Sequence, residues 1–210
     1  MHPGRPNAVN KSRNQRRFRS GSLPLLLLAL LFVSKALHAQ GPTHTFQDPV
    51  YKVTFDYPAN WIFSRTDGEI STFHLDARSA PANAQMRAVV AMPENPFPAS
   101  TFSGAYVYFS VTPRSAAAAC TQQAGAAAQT VQIAGVPFSH GHDEQKEICT
   151  TQRDEVYTSF RHGACLRFDL AINNFCGGEV SHVKDISPQE LDQVRARLED
   201  ILKTVRIGQK

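Results

Sequence analysis

The chain has 210 residues, 22 Lys and Arg against 18 Asp and Glu, and a formal net charge of +4. Seven of the 22 basic residues (Arg5, Lys11, Arg13, Arg16, Arg17, Arg19 and Lys35) precede residue 40, where no acidic residue stands, which leaves 15 basic against 18 acidic residues and a net charge of −3. That remainder has no cluster of Lys and Arg to neutralise phosphates and release counterions, so a nucleic-acid partner is not expected.

The basic tail is followed by an apolar run at 23–33 that contains Pro24, then by Lys35-Ala36-Leu37-His38-Ala39-Gln40. This order of charge, apolar core and small residues is the layout of a secretory signal peptide. The run is well short of the roughly 20 residues that span a bilayer. Residues 1–39 are therefore expected to be removed after Ala39, and a membrane contact arises only if the leader stays uncleaved. Residues 40–45 read as a short linker. Residues 46–207 read as one domain, long enough to bury a core and free of internal repeats.

Residues 50–57 alternate, with Tyr51, Val53, Phe55 and Tyr57 on one face and Lys52, Thr54 and Asp56 on the other, the pattern of a half-buried strand. Pro58-Ala59-Asn60 turns the chain and Trp61-Ile62-Phe63 starts a second strand. Further strands are expected at 70–75, 86–92 and 106–112, each rich in β-branched or aromatic residues. Pro93, Pro96 and Pro98 mark the loop before the last of these. The Ala-rich stretch 116–128 reads as a helix, with Thr112 as its cap and Pro113 in its first turn.

Residues 131–133 and 138–142 flank Gly135 as a pair of short strands. Residues 156–160 and 166–172 form the clearest hairpin, turning at His162-Gly163, where Gly accepts positive φ. Ser187 and Glu190 have capping-box spacing, Pro188 sits at the first helical position, and Leu191, Val194, Leu198, Ile201, Leu202 and Val205 make one apolar stripe. Strands in meander order with an inserted and a terminal helix give an α+β fold: an α-β-α sandwich around a mainly antiparallel sheet.

Phe46-Gln47-Asp48-Pro49 leads into Val53-Thr54-Phe55-Asp56-Tyr57-Pro58-Ala59-Asn60-Trp61, and this resembles the start of PsbP-like domains, where a strand ends in a Tyr-Pro-x-x-Trp turn. Val131-Gln132-Ile133-Ala134-Gly135 resembles the strand and turn after that family's inserted helix, and Ile201-Leu202-Lys203-Thr204-Val205-Arg206-Ile207 its terminal helix and tail. The resemblance implies an α-β-α sandwich in an exported protein. It also implies a non-catalytic binding or assembly role; the best-known members support photosystem II and its manganese–calcium cluster. No ligand set of the family can be matched here residue by residue, so no photosynthetic role is carried over.

Cys120, Cys149, Cys165 and Cys176 all lie beyond the leader, in a chain routed to an oxidising compartment, and two disulfides are expected. If Arg161 faces Ala164 across the hairpin turn, Cys149 faces Cys176. Pairing Cys165 with Cys176 is disfavoured, because a strand continuing to Ile172 carries the chain about 23 Å away at about 3.3 Å per residue. The expected bridges are Cys149–Cys176 and Cys120–Cys165.

His140-Gly141-His142 places two imidazoles on one side of a strand, from which both can reach one zinc or copper ion. His74, His162 and His182 are the candidates for a third ligand; the competing reading is a polar surface. Gly-x-Ser-x-Gly is absent and Gly177-Gly178 lacks the residues of a phosphate loop, so no nucleotide cofactor is expected. Asp154, Glu155 and Asp169 are expected as charges on a wet face, with acid–base work as the alternative. Trp61 and Tyr106-Val107-Tyr108-Phe109 are expected in the core rather than around a ligand. The sequence points to an exported, non-catalytic binding or assembly module of the cell envelope, periplasmic or extracellular, for an envelope protein or small ligand it does not name. The alternative is a metal-binding protein or metal-dependent hydrolase using His140 and His142.

Overall fold

The computed structural model describes residues 41–71, 73–74, 79–177 and 182–208; the leader read at 1–39 lies outside them. In chain order the elements are β1 (Thr43–Asp48), β2 (Val53–Pro58), β3 (Ile62–Ser64), β4 (Gln85–Ala91), β5 (Phe102–Pro113), α1 (Ala117–Gln122), β6 (Gln129–Ile133), β7 (Val136–Glu147), β8 (Thr150–Arg161), β9 (Ala164–Phe175), α2 (Pro188–Lys203) and β10 (Arg206–Ile207). They build a three-stranded sheet, β1-β2-β10, and a seven-stranded sheet, β3-β4-β5-β9-β8-β7-β6, in which every pairing is antiparallel. No helix among the described residues is long and apolar enough to cross a membrane.

The chain enters β1 at Thr43, inside the segment read as a linker. Asp48 then shapes the turn into β2: one carboxylate oxygen accepts from the amides of Val50 and Tyr51 at 2.9 Å, and the other faces Arg87 Nε at 2.6 Å. Burial pushes the Asp48 carboxyl up, but the Arg87 side chain and the two amides outweigh it and hold it below its ordinary value. Lys52 takes a positive φ of 56°, so the strand starts at Val53 rather than at residue 50.

One face of the large sheet carries the apolar core. Phe55 meets Phe168 edge-on with ring centroids 6.2 Å apart, and Phe46 meets Phe109 likewise at 6.0 Å. Helix α2 covers the same face with Val194, Leu198, Ile201 and Leu202, all buried. Its start is the expected capping box: Ser187 Oγ accepts from the Glu190 amide at 3.3 Å and Glu190 Oε2 accepts from the Ser187 amide at 2.8 Å. Because side chains alternate along β9, Leu166, Phe168 and Leu170 join this core while Cys165, Arg167 and Asp169 point to the other face. Cys165 is bonded to Cys120 of α1 there, so the two helices lie on opposite faces of the sheet, an α-β-α arrangement.

Several expectations are corrected. The inserted helix is only Ala117–Gln122; Gly125 at φ 87° turns the chain out of it, and Thr112 and Pro113 belong to β5, paired with Cys165 and Ala164. Its N-cap is Ala116, with no side-chain cap. Residues 70, 71, 73 and 74 of the expected strand are not extended into a sheet, and 72 and 75 lie outside the described residues. The strand that pairs with the outer edge of β4 is β3, with Ile62 opposite Ala91 and Ser64 opposite Val89. Asp154 and Asp169 are not on a wet face: both are buried, and Asp169 Oδ1 receives Arg167 at 2.7 Å and 2.8 Å. Burial opposes the Arg167 charge, and Asp169 together with Asp154 and Asp143 raises its pKa nonetheless.

The hairpin of β8 and β9 has Arg161 opposite Ala164, with His162 and Gly163 at φ 48° and 78° in the turn. That register brings Cys149 to Cys176, and both expected bridges are formed: Cys149–Cys176 with Cα atoms 4.3 Å apart and Cys120–Cys165 at 5.3 Å. Val107 and Phe109 are core residues as expected, while Tyr108 packs on the opposite face with Val89 and Ala171.

Candidate functional site

Strand β7 delivers His140 and His142 to the α2 side of the sheet, as residues two apart on a strand must be. On the opposite side Gly141 lies directly against the Ala124 carbonyl, closer than any Cβ could tolerate. The glycine between the histidines thus lets the chain after α1 pack against the sheet, and an ordinary side chain there would displace it.

The register of β7 with β8 sets Tyr157 opposite His140 and Glu155 opposite His142. Glu155 Oε2 is 2.8 Å from His140 Nε2 and 2.8 Å from His142 Nδ1. Arg195, from α2, places Nε 3.3 Å from the other oxygen, Oε1, and is itself held by Asp192 at 2.6 Å. The carboxylate thus faces a positive charge of the helix on one oxygen and offers the other to both imidazoles. One ligand atom from each of His140, His142 and Glu155 falls within 4.8 Å of the others, the one such group among the described residues.

Tyr157 supplies the floor. Its ring stacks on that of His140, centroids 4.3 Å apart and planes 3° from parallel. Burial, then the charges of Glu155 and Glu199, push its phenol up to about 12 against a smaller opposing effect of Arg195, so it stays protonated. Solvent access falls unevenly across the cluster: the His142 side chain is 75% exposed, His140 23% and Glu155 14%. A pocket of about 480 Å³ opens beside His140, between β6 and the end of α2, lined among others by Ile133, Tyr157, Glu199 and Lys203.

The third member of the cluster differs from the sequence expectation. His74 stands 3.7 Å from Asp67, His162 is in the β8–β9 turn, and His182 lies beyond β9; none joins His140 and His142. Glu155 does, and the signal that finds it is cross-strand register rather than residue type. A separate groove of about 530 Å³ lies between the end of β2 and α2, lined by Tyr57, Pro58, Trp61, Arg197 and Ile201 among others, so Trp61 both packs on the core and borders open space.

No family model and no curated protein matches the chain. Among solved structures, the chain is similar to the solution structure of cyanobacterial PsbP (CyanoP) from Synechocystis sp. PCC 6803, at 12% identity and a TM-score of 0.44, over 85% of this chain and 99% of that one. It is similar also to a crystal structure from Bacteroides thetaiotaomicron, at 14% identity and a TM-score of 0.44, over 81% of this chain and 50% of that one. The chain spans half the length of the Bacteroides chain. The cyanobacterial structure is of a PsbP, the family that the sequence resembles.

Proposed function

We propose that this chain is an exported, non-catalytic binding module whose ligand is a divalent transition-metal ion, taken by His140, His142 and Glu155. The observation that carries this reading is the convergence of two imidazole nitrogens and one carboxylate oxygen at a partly open position. Two disulfides fit the exported setting. Two nitrogens and one oxygen favour zinc or copper over magnesium, calcium or manganese, which prefer all-oxygen shells.

Bonds of about 2.0–2.1 Å in a tetrahedral shell separate neighbouring ligand atoms by about 3.3 Å. Each 2.8 Å nitrogen–oxygen contact then opens by about 0.5 Å, on one side by a small rotation of the exposed His142 ring and on the other by a shift of the Glu155 carboxylate away from His140. Arg195 sets a positive charge 3.3 Å from Oε1, outside the cluster, which favours the ionised carboxylate that a metal needs. Three protein ligands leave the fourth position to water or to a donor from an envelope partner.

The test is a zinc titration of the mature, disulfide-bonded protein against a chromogenic chelator. One equivalent bound by the native chain, weakened at least about tenfold in the His140→Ala/His142→Ala variant and in Glu155→Gln, is the expected result. Equal zinc affinity in the double variant would remove the assignment.

A further inference from the structure

The two disulfides differ in how the fold surrounds them. Cys120 and Cys165 are 1% and 0% exposed, sealed between α1 and the sheet. Cys149 is exposed and Cys176 half-buried, at the end of the β8–β9 ladder. Glu147 pairs with Thr150, which leaves Ile148 and Cys149 as a two-residue turn between β7 and β8. Ile148 is 98% exposed and gives the neighbouring sulfur no cover. Cys149 has φ 64° at the second turn position, a conformation that suits Gly or Asn better than other residues with a Cβ. The bridge to Cys176 ties this turn to the end of β9.

We propose that Cys149–Cys176 is a site of thiol–disulfide exchange for a dithiol reductant, and that it opens while Cys120–Cys165 stays closed. A thiolate of the reductant attacks Cys149 Sγ, the accessible sulfur; a mixed disulfide forms, the bond to Cys176 breaks, and Cys176 leaves as a thiolate that takes a proton from water. The reductant's second thiol, as its thiolate, then attacks its own sulfur in the mixed disulfide. Cys149 leaves as a thiolate and is protonated, and the reductant departs as its disulfide. Two electrons pass from the reductant to the bridge.

Opening unties the β7–β8 turn from the end of β9. Glu155 is six residues from Cys149, about 20 Å along the strand at about 3.3 Å per residue, so the His140/His142/Glu155 cluster keeps its place. The inference is independent of the metal reading.

The native protein is incubated with graded dithiothreitol, quenched with an alkylating reagent and mapped by peptide mass spectrometry. Cys149 and Cys176 are expected to label at least about tenfold faster than Cys120 and Cys165, with unchanged far-UV circular dichroism at the two-thiol stage. Simultaneous labelling of all four, earlier labelling of Cys120 and Cys165, or no labelling without denaturant overturns the proposal. In Cys176→Ser, glutathione disulfide should add one glutathione at Cys149; a folded variant that takes none also overturns it.

Discussion

Tyr157 lies flat against His140, the ring planes 3° from parallel and the centroids 4.3 Å apart, at the one point where the β7–β8 ladder puts an aromatic residue opposite a histidine of the cluster. The stack limits rotation of the imidazole and so keeps Nε2 turned toward Glu155. Tyr157→Ala removes that restraint and is expected to weaken zinc binding about tenfold, within the range seen for outer-shell partners. Tyr157→Phe keeps the ring and should bind as the native chain does. Competition titration of the two variants separates orientation by stacking from any contribution of the phenol.

Gly141 is where the sheet yields to the segment after α1. In Gly141→Ala the new methyl meets the Ala124 carbonyl, and backbone must move on one side or the other. A loss of about 1–3 kcal/mol is expected in urea unfolding, the cost of overpacking a tight contact. An unchanged midpoint would mean that the chain after α1 gives way freely.

The sealed bridge should matter more to stability than the exposed one. Cys120–Cys165 closes 45 residues of chain and Cys149–Cys176 closes 27. Replacing Cys120 and Cys165 by Ala is expected to cost about 2–5 kcal/mol, because a longer loop is released and two buried sulfurs are lost. Replacing Cys149 and Cys176 by Ala should cost less, since the loop released is shorter and Cys149 is exposed rather than packed in the interior. Chemical denaturation of the two double variants gives the order directly.

The α2 cap sets an acid limit. Hydrogen bonds from the Ser187 amide and hydroxyl, then from Lys184, hold the Glu190 carboxyl down to about 2 from an ordinary 4.5. A depressed carboxyl stabilises the fold fully above about 4.5, and that contribution is lost as the pH falls toward about 2. Glu190→Gln should therefore lower stability at neutral pH and show a shallower acid slope. The two unfolding profiles, followed by helix circular dichroism, are expected to converge near the bottom of that window.

Arg167 and Asp169 are a buried pair, 1% and 0% exposed at the side chain. Asp169→Ala leaves a guanidinium in the interior without its main counter-charge and is expected to cost about 3–5 kcal/mol. A change below about 1 kcal/mol in urea unfolding would show that other neighbours of Arg167 suffice to hold it.

Much of the frame is local and so legible along the chain. The alternation around β2, the capping box of Ser187 and Glu190, and the His162-Gly163 turn are each set by residues within a few positions of one another. The bridge from Cys149 to Cys176 belongs with these, because one turn fixes the register of the whole β8–β9 hairpin. The shortness of α1 and the absence of strand at residues 70, 71, 73 and 74 were not legible. Helix length there yields to the Ala124–Gly141 contact, and which segment pairs with β4 is set by tertiary packing, where β3 takes residues 89–91.

For the cluster itself, spacing along the chain is enough to put His140 and His142 on one side of a strand, since side chains repeat every two residues along any strand. That Glu155 joins them, that Arg195 stands beside its outer oxygen, and that Asp154 and Asp169 are buried rather than wet follow from the three-dimensional packing alone. Those outcomes depend on which residue stands opposite across the β7–β8 ladder and on which face α2 covers. Both are set by the packing of segments far apart in the chain, and no local pattern encodes them.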